Sequence, residues 1–96
     1  MKMFLVVYAD YFDERISKTF MEAGFGKYTK VHGVTGRGEE SEAKLGTHYS
    51  PGKNNSIFMA VQDEEIPRLL EVIRGLRAEY PGSGFRAFTL PLEECI

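Results

Sequence analysis

The sequence predicts an α+β fold of order βαββαβ: a four-stranded antiparallel sheet with two helices on one face and a long loop between strands two and three. Two stretches with apolar residues at helical spacing each follow an apolar, strand-like run, and glycine-rich breaks close both of them. Between strands two and three, residues 33–54, GVTGRGEESEAKLGTHYSPGKN, carry five glycines and no hydrophobic period.

Residues 2–9, KMFLVVYA, favour a strand, and Asp10 is placed to cap the helix that follows. From Tyr11 onward Phe12, Ile16 and Phe20 recur every four residues on one helical face, with Asp13, Glu14, Lys18 and Glu22 mostly elsewhere. AGFG at 23–26 stops that helix, because glycine readily takes the left-handed cap conformation. KYTKVHGV at 27–34 alternates as a second strand, and SIFMAVQ at 56–62 reads as a third. Asp63 is placed to cap a second helix, DEEIPRLLEVIRGLRAEY, with an acidic first turn and a stripe of Ile66, Leu69, Leu70, Ile73, Leu76 and Tyr80. Pro67 falls near the start of that helix, where a missing donor costs little. Gly75 costs about 1 kcal/mol against alanine, and is expected to let a strand or a neighbouring chain approach closely. PGSG at 81–84 ends the helix, and FRAFTLPL at 85–92 forms the fourth strand. This is the split βαβ, or ferredoxin-like, arrangement, expected to fill one domain over residues 1–96.

A chain of 96 residues supports a modest core, and its 12 basic side chains nearly balance 14 acidic ones. A net charge of -2 argues against a nucleic-acid binder, which needs a basic patch. No apolar run approaches the length of a membrane span and the start does not read as a signal peptide, so the expected location is the cytoplasm. Cys95 is the single cysteine and fits a reducing compartment.

Both faces of the sheet are apolar. In strand one Phe4, Val6 and Tyr8 oppose Met3, Leu5 and Val7; in strand three Ile57, Met59 and Val61 oppose Phe58 and Ala60. Two helices cover one side only, whereas an antiparallel sheet with a wet second face alternates apolar with polar. The uncovered side is expected to drive self-association, the alternative being that N-terminal and loop residues fold across it.

The element order, the segment YTKVHGVTGRG at 28–38 that opens the long loop, and the PGSGF turn before the last strand resemble the PII signal-transduction superfamily. The resemblance implies a homotrimer with sheet faces around a central axis, small ligands such as ATP, ADP or AMP in clefts between subunits, and a long loop reaching a target protein, for instance a transporter or an enzyme. Classical members follow the glycine-arginine pair with a glutamine and a lysine, the glutamine holding the magnesium through which 2-oxoglutarate binds. Here Gly36 and Arg37 are followed by Gly38 and Glu39, and the turn before strand four has Arg86 as its nearest cation. The chain resembles a divergent PII-like protein rather than a classical nitrogen regulator.

Gly36, Arg37 and Gly38 offer backbone donors and a guanidinium fork suited to phosphate or carboxylate, or else form a hinge with a solvated arginine. Gly82, Ser83 and Gly84 offer backbone donors to an anion assisted by Arg86, or else form a plain turn. The resemblance places these two turns on opposite sides of one intersubunit cleft. Glu39, Glu40, His48 and Tyr49, within the long loop, are the expected target contacts; a tyrosine in this loop is modified in some relatives. His32 and His48 match no metal-ligand spacing, and no metal site is expected. No nucleophile-base pair, HExxH, P-loop or strand-linked GxGxxG supports an enzyme. The rival reading resembles the CutA divalent-cation tolerance proteins, which share the fold and the trimer.

Overall fold

A computed structural model of the chain describes residues 1–36 and 53–96. Strand β1 spans Lys2–Ala9, helix α1 Asp13–Glu22, β2 Thr29–Val34, β3 Asn54–Val61, α2 Ile66–Glu79 and β4 Arg86–Pro91. The order βαββαβ is as expected. The strands form one sheet, β2-β3-β1-β4, with every neighbouring pair antiparallel.

Both helices begin later than their acidic residues suggested. The chain leaves β1 through a tight turn over Asp10–Phe12, and no side chain caps it. Asp10 is no cap because strand pairing holds it: Ala9 still sits opposite Asn54, and the Asp10 N–H donates to the Lys53 carbonyl at 2.8 Å. A second such turn, Asp63–Glu65, precedes α2. There the Gln62 N–H donates to Glu65 Oε1 at 3.4 Å, while Asp63 turns away to the Met1 amine at 2.9 Å. The strand ends also move. β2 starts two residues later than expected, β3 starts two earlier, and β4 begins at Arg86, because Phe85 is drawn wholly into the core.

The end of α1 follows its glycine. Gly24, at φ +89°, donates its N–H to the Met21 carbonyl, and the Phe25 N–H reaches back to the Phe20 carbonyl at 2.8 Å. These two bonds satisfy carbonyls that a helix end leaves open and tuck Phe25 under the sheet.

Phe4, Val6 and Tyr8 of β1 and Ile57, Met59 and Val61 of β3 face the helices, which contribute Ile16, Phe20, Leu69, Ile73 and Leu76. Each such side chain stabilises the fold by about 1.5–3 kcal/mol when fully buried. No described strand approaches Gly75: it lies on the exposed side of α2, and among the described residues a Cβ there would meet nothing within 4 Å.

The other face carries rows of apolar residues that no described helix covers. One row runs Phe58, Leu5, Phe88 across β3, β1 and β4; the next runs Ala60, Met3, Leu90. Phe88 and Leu90 are about half exposed, at 51% and 47%. Soluble monomers rarely leave a contiguous patch of this kind open.

Candidate functional site

The carboxyl end of β1 gathers the chemistry-bearing turns. Val7 pairs with Arg86 at the start of β4, and Ala9 pairs with Asn54 at the start of β3, so both incoming strands begin at this end of the sheet. The turn at 81–84 therefore lies beside β1's exit, while Gly36 lies at the far edge, where a Cβ would stand 3.8 Å from Asn54 Nδ2. Gly36 follows β2, and Arg86 opens β4. With β3 and β1 between them, these edges are three strand spacings apart, about 14 Å. One copy presents Gly36 and the turn at 82–84 on opposite edges. Arg37, Gly38, Glu39, Glu40, His48 and Tyr49 lie outside the described residues.

The turn before β4 is built to expose backbone. Gly82 and Gly84 both take positive φ, +77° and +81°, and nothing stands within 4 Å of a Cβ at either. Between them the Ser83 N–H donates to the Tyr80 carbonyl at 3.1 Å, but its hydroxyl is buried and has no hydrogen-bond partner among the described residues. A buried, unpartnered hydroxyl costs free energy, and a ligand oxygen could satisfy it. The turn rests on an aromatic base: the Phe12 ring lies 4.9 Å from Tyr80 and 5.0 Å from Phe85, centre to centre. Arg77 pins the turn's exit by donating to the Phe85 carbonyl at 2.6 Å. Arg86 is exposed and points to the uncovered sheet face, in the row of Val7, Ser56 and Val31.

A polar cluster lies beneath the end of β2. Asp13, at the start of α1, accepts from the Tyr8 hydroxyl at 2.6 Å, from Asn55 Nδ2 at 3.1 Å and from Lys30 Nζ at 3.0 Å. Lys30 also donates to Ser17 Oγ at 2.7 Å, and Asn55 Oδ1 accepts the Gly33 N–H at 3.3 Å. Partial burial alone would raise the Asp13 carboxyl, but hydrogen bonds from Tyr8, Lys30 and Asn55 outweigh it and hold it below the ordinary value. Tyr8 is pushed far upward, first by burial and then by its bond to the Asp13 carboxylate. The sequence reading missed this cluster. Its one legible sign was the polar pair Asn54 and Asn55 at the head of an apolar strand.

Elsewhere, His32 is exposed on edge strand β2, and among the described residues no three His, Cys, Asp or Glu side chains converge on a metal-sized site. A groove of about 560 Å³, lined by Met21, Phe25, Lys27, Met59, Val61 and Glu65, opens at the opposite end of the sheet, where Val61 pairs with Lys2. It is remote from Gly36 and from the turn at 82–84. No described helix is long and apolar enough to cross a membrane.

Comparison with known proteins supports the expected family and fold. The GlnB-like protein 1 of the nitrogen-fixation nifHD2 region of Methanosarcina barkeri is 32% identical over 76 residues, 78% of this chain and 71% of that one. The chain belongs to the GlnB-like, PII signal-transduction family. No protein-family model matches it. The fold of this PII-like chain is also that of CPII, a nitrogen regulatory PII-like protein from Thiomonas intermedia whose structure holds ADP, AMP and bicarbonate. The two align at a TM-score of 0.70 and 21% identity, over 93% of this chain and 82% of that one. A PII-like signaling protein from Thermus thermophilus aligns at 0.59 and 22%, over 93% and 83%. Membership makes this PII-like protein a regulatory signal transducer, not an enzyme.

Proposed function

We propose that this PII-like protein is a cytoplasmic homotrimer that binds a small anionic ligand, an adenine nucleotide (ATP, ADP or AMP), in clefts between subunits. The ligand lies against Gly36, Arg37 and Gly38 of one copy and Gly82, Ser83, Gly84 and Arg86 of the next. Occupancy is passed through the segment 35–54 to a target protein, a transporter or an enzyme, with Glu39, Glu40, His48 and Tyr49 as contacts. The observation that carries the reading is the separation of Gly36 and the turn at 82–84 to opposite edges of one sheet whose open face is apolar. Packing copies through that face turns two half-sites into one cleft. The ligand class is supported by the ADP and AMP held by the Thiomonas protein, which shares the fold, and by the Ser83 hydroxyl, buried without a partner among the described residues. Arginine and backbone donors suit phosphate oxygens.

Calorimetry with ADP tests it. Arg37→Ala and Arg86→Ala should each weaken binding by about tenfold or more, as expected for a lost charge-assisted hydrogen bond, with the assembly intact by sedimentation. Unchanged affinity in both variants defeats the site; no binding of ADP by the wild-type chain defeats the ligand class.

A further inference from the structure

Strand β2 hands over to the segment beyond it through a bulge. Val31 pairs with Ser56 and Val34 with Asn54, so His32 and Gly33 together stand opposite the single residue Asn55. Gly33 takes φ +73°, a conformation that glycine adopts without strain. Its N–H has a side-chain partner, the Asn55 carbonyl oxygen at 3.3 Å. The other end of that same amide donates to Asp13 Oδ1 at 3.1 Å. Asn55 is 97% buried, since only 3% of it is exposed, and its two polar ends are thus both used. One buried side chain ties the first turn of α1 to the backbone of the bulge, three residues before Gly36.

We propose that Asn55 is a positioning residue: anchored by Asp13, it fixes the bulge at Gly33 and thereby the path of the chain from β2 to Gly36. Asp13 is itself fixed from two other sides, by Tyr8 of β1 and Lys30 of β2, so the bulge is referred to three elements of the rigid core. An amide is the side chain that suits this place, because it must accept from a backbone N–H and donate to a carboxylate at once. An aspartate would face Asp13 with a second negative charge, and a leucine would leave the Gly33 N–H unpartnered. The consequence for ligand binding rests on the reading that residues 36–38 take the anion; the consequence for Gly33 does not.

Amide hydrogen exchange by NMR on the full chain, alongside calorimetry with ADP, tests the two consequences separately. Asn55→Ala should speed exchange at Gly33 by about tenfold beyond any change at the β1 amides, as loss of one buried hydrogen bond allows. Asp13→Ala should do the same to a smaller extent. Asp13→Asn keeps an oxygen for Asn55 and should leave Gly33 protected. The pair Asp13→Ala and Asn55→Ala together should free Gly33 no more than Asn55→Ala alone. ADP affinity should fall in the order of Gly33 exposure. Gly33 exchange that rises no more than that of β1, or Asp13→Asn as damaging as Asp13→Ala, overturns the proposal. If Gly33 responds as stated while wild-type chain ignores ADP, the positioning role stands and the ligand reading falls.

Discussion

The Tyr8 hydroxyl lies 2.6 Å from Asp13 Oδ1, donating from the end of β1 to the first turn of α1 across the corner where strand becomes helix. The bond joins a side chain at the limit of the apolar core, only 1% exposed, to a carboxylate that also holds Lys30 and Asn55. It ties the pH dependence of stability to the corner beneath the candidate site.

At the acid end, Asp13 titrates below its ordinary value in the folded chain, so its contribution is present above about pH 4, the unfolded value, and is lost as pH falls through the lower folded value. At the alkaline end, Tyr8 titrates above its ordinary value, so its contribution is present below about pH 10 and is lost progressively above that, as the unfolded chain ionises first. Denaturant midpoints measured against pH should show both limbs. Asp13→Asn should flatten the acid limb and Tyr8→Phe the alkaline one; an acid limb unchanged in Asp13→Asn contradicts the assignment.

Two glycines should answer the same substitution with opposite signs. Gly75→Ala adds a Cβ into open space on an exposed helical turn and should stabilise by about 1 kcal/mol. Gly24→Ala forces a side chain into φ +89° and should destabilise by about 1–2 kcal/mol. Thermal melts read the difference as a rise of a few degrees in one and a fall in the other.

Leu5 lies in the row between Phe58 and Phe88 on the uncovered face. Leu5→Lys places a charge at the middle of that patch, away from the helices, and should leave secondary structure intact by circular dichroism. In sedimentation the wild-type chain is expected at about three times 10.9 kDa, and the variant at the monomer mass. A wild-type monomer at micromolar concentration removes the intersubunit cleft.

The Ser83 hydroxyl separates folding from binding. Because it is buried without a partner among the described residues, Ser83→Ala should leave the stability of the unliganded chain unchanged or slightly higher. The same change should weaken ADP binding, and a variant that binds ADP as well as wild type excludes the hydroxyl from the site.

The strand and helix order was legible because hydrophobic period is local: Phe12, Ile16 and Phe20 declare a helix, and the run from Met3 to Ala9 declares a strand, whatever surrounds them. The two-sided apolar character of the sheet was legible for the same reason, since alternation along β1 assigns Leu5 and Phe4 to opposite faces. The turn at 82–84 was legible as glycine punctuation, and the family from the element order and the motifs flanking the long loop and that turn. Helix starts were not, because Asp10 is held by strand pairing through Lys53 and Asp63 by the chain's own amino end, both set by distant partners. The tertiary structure alone decided that Tyr8, Asp13, Lys30 and Asn55 meet. Tyr8 and Asn55 are 47 positions apart and are set opposite one another by the antiparallel register of β1 on β3; Lys30 reaches the corner through the pairing of β2 with β3, and Asp13 through the start of α1. Periodicity reports which way a side chain points; which polar groups share a corner depends on how the pieces close.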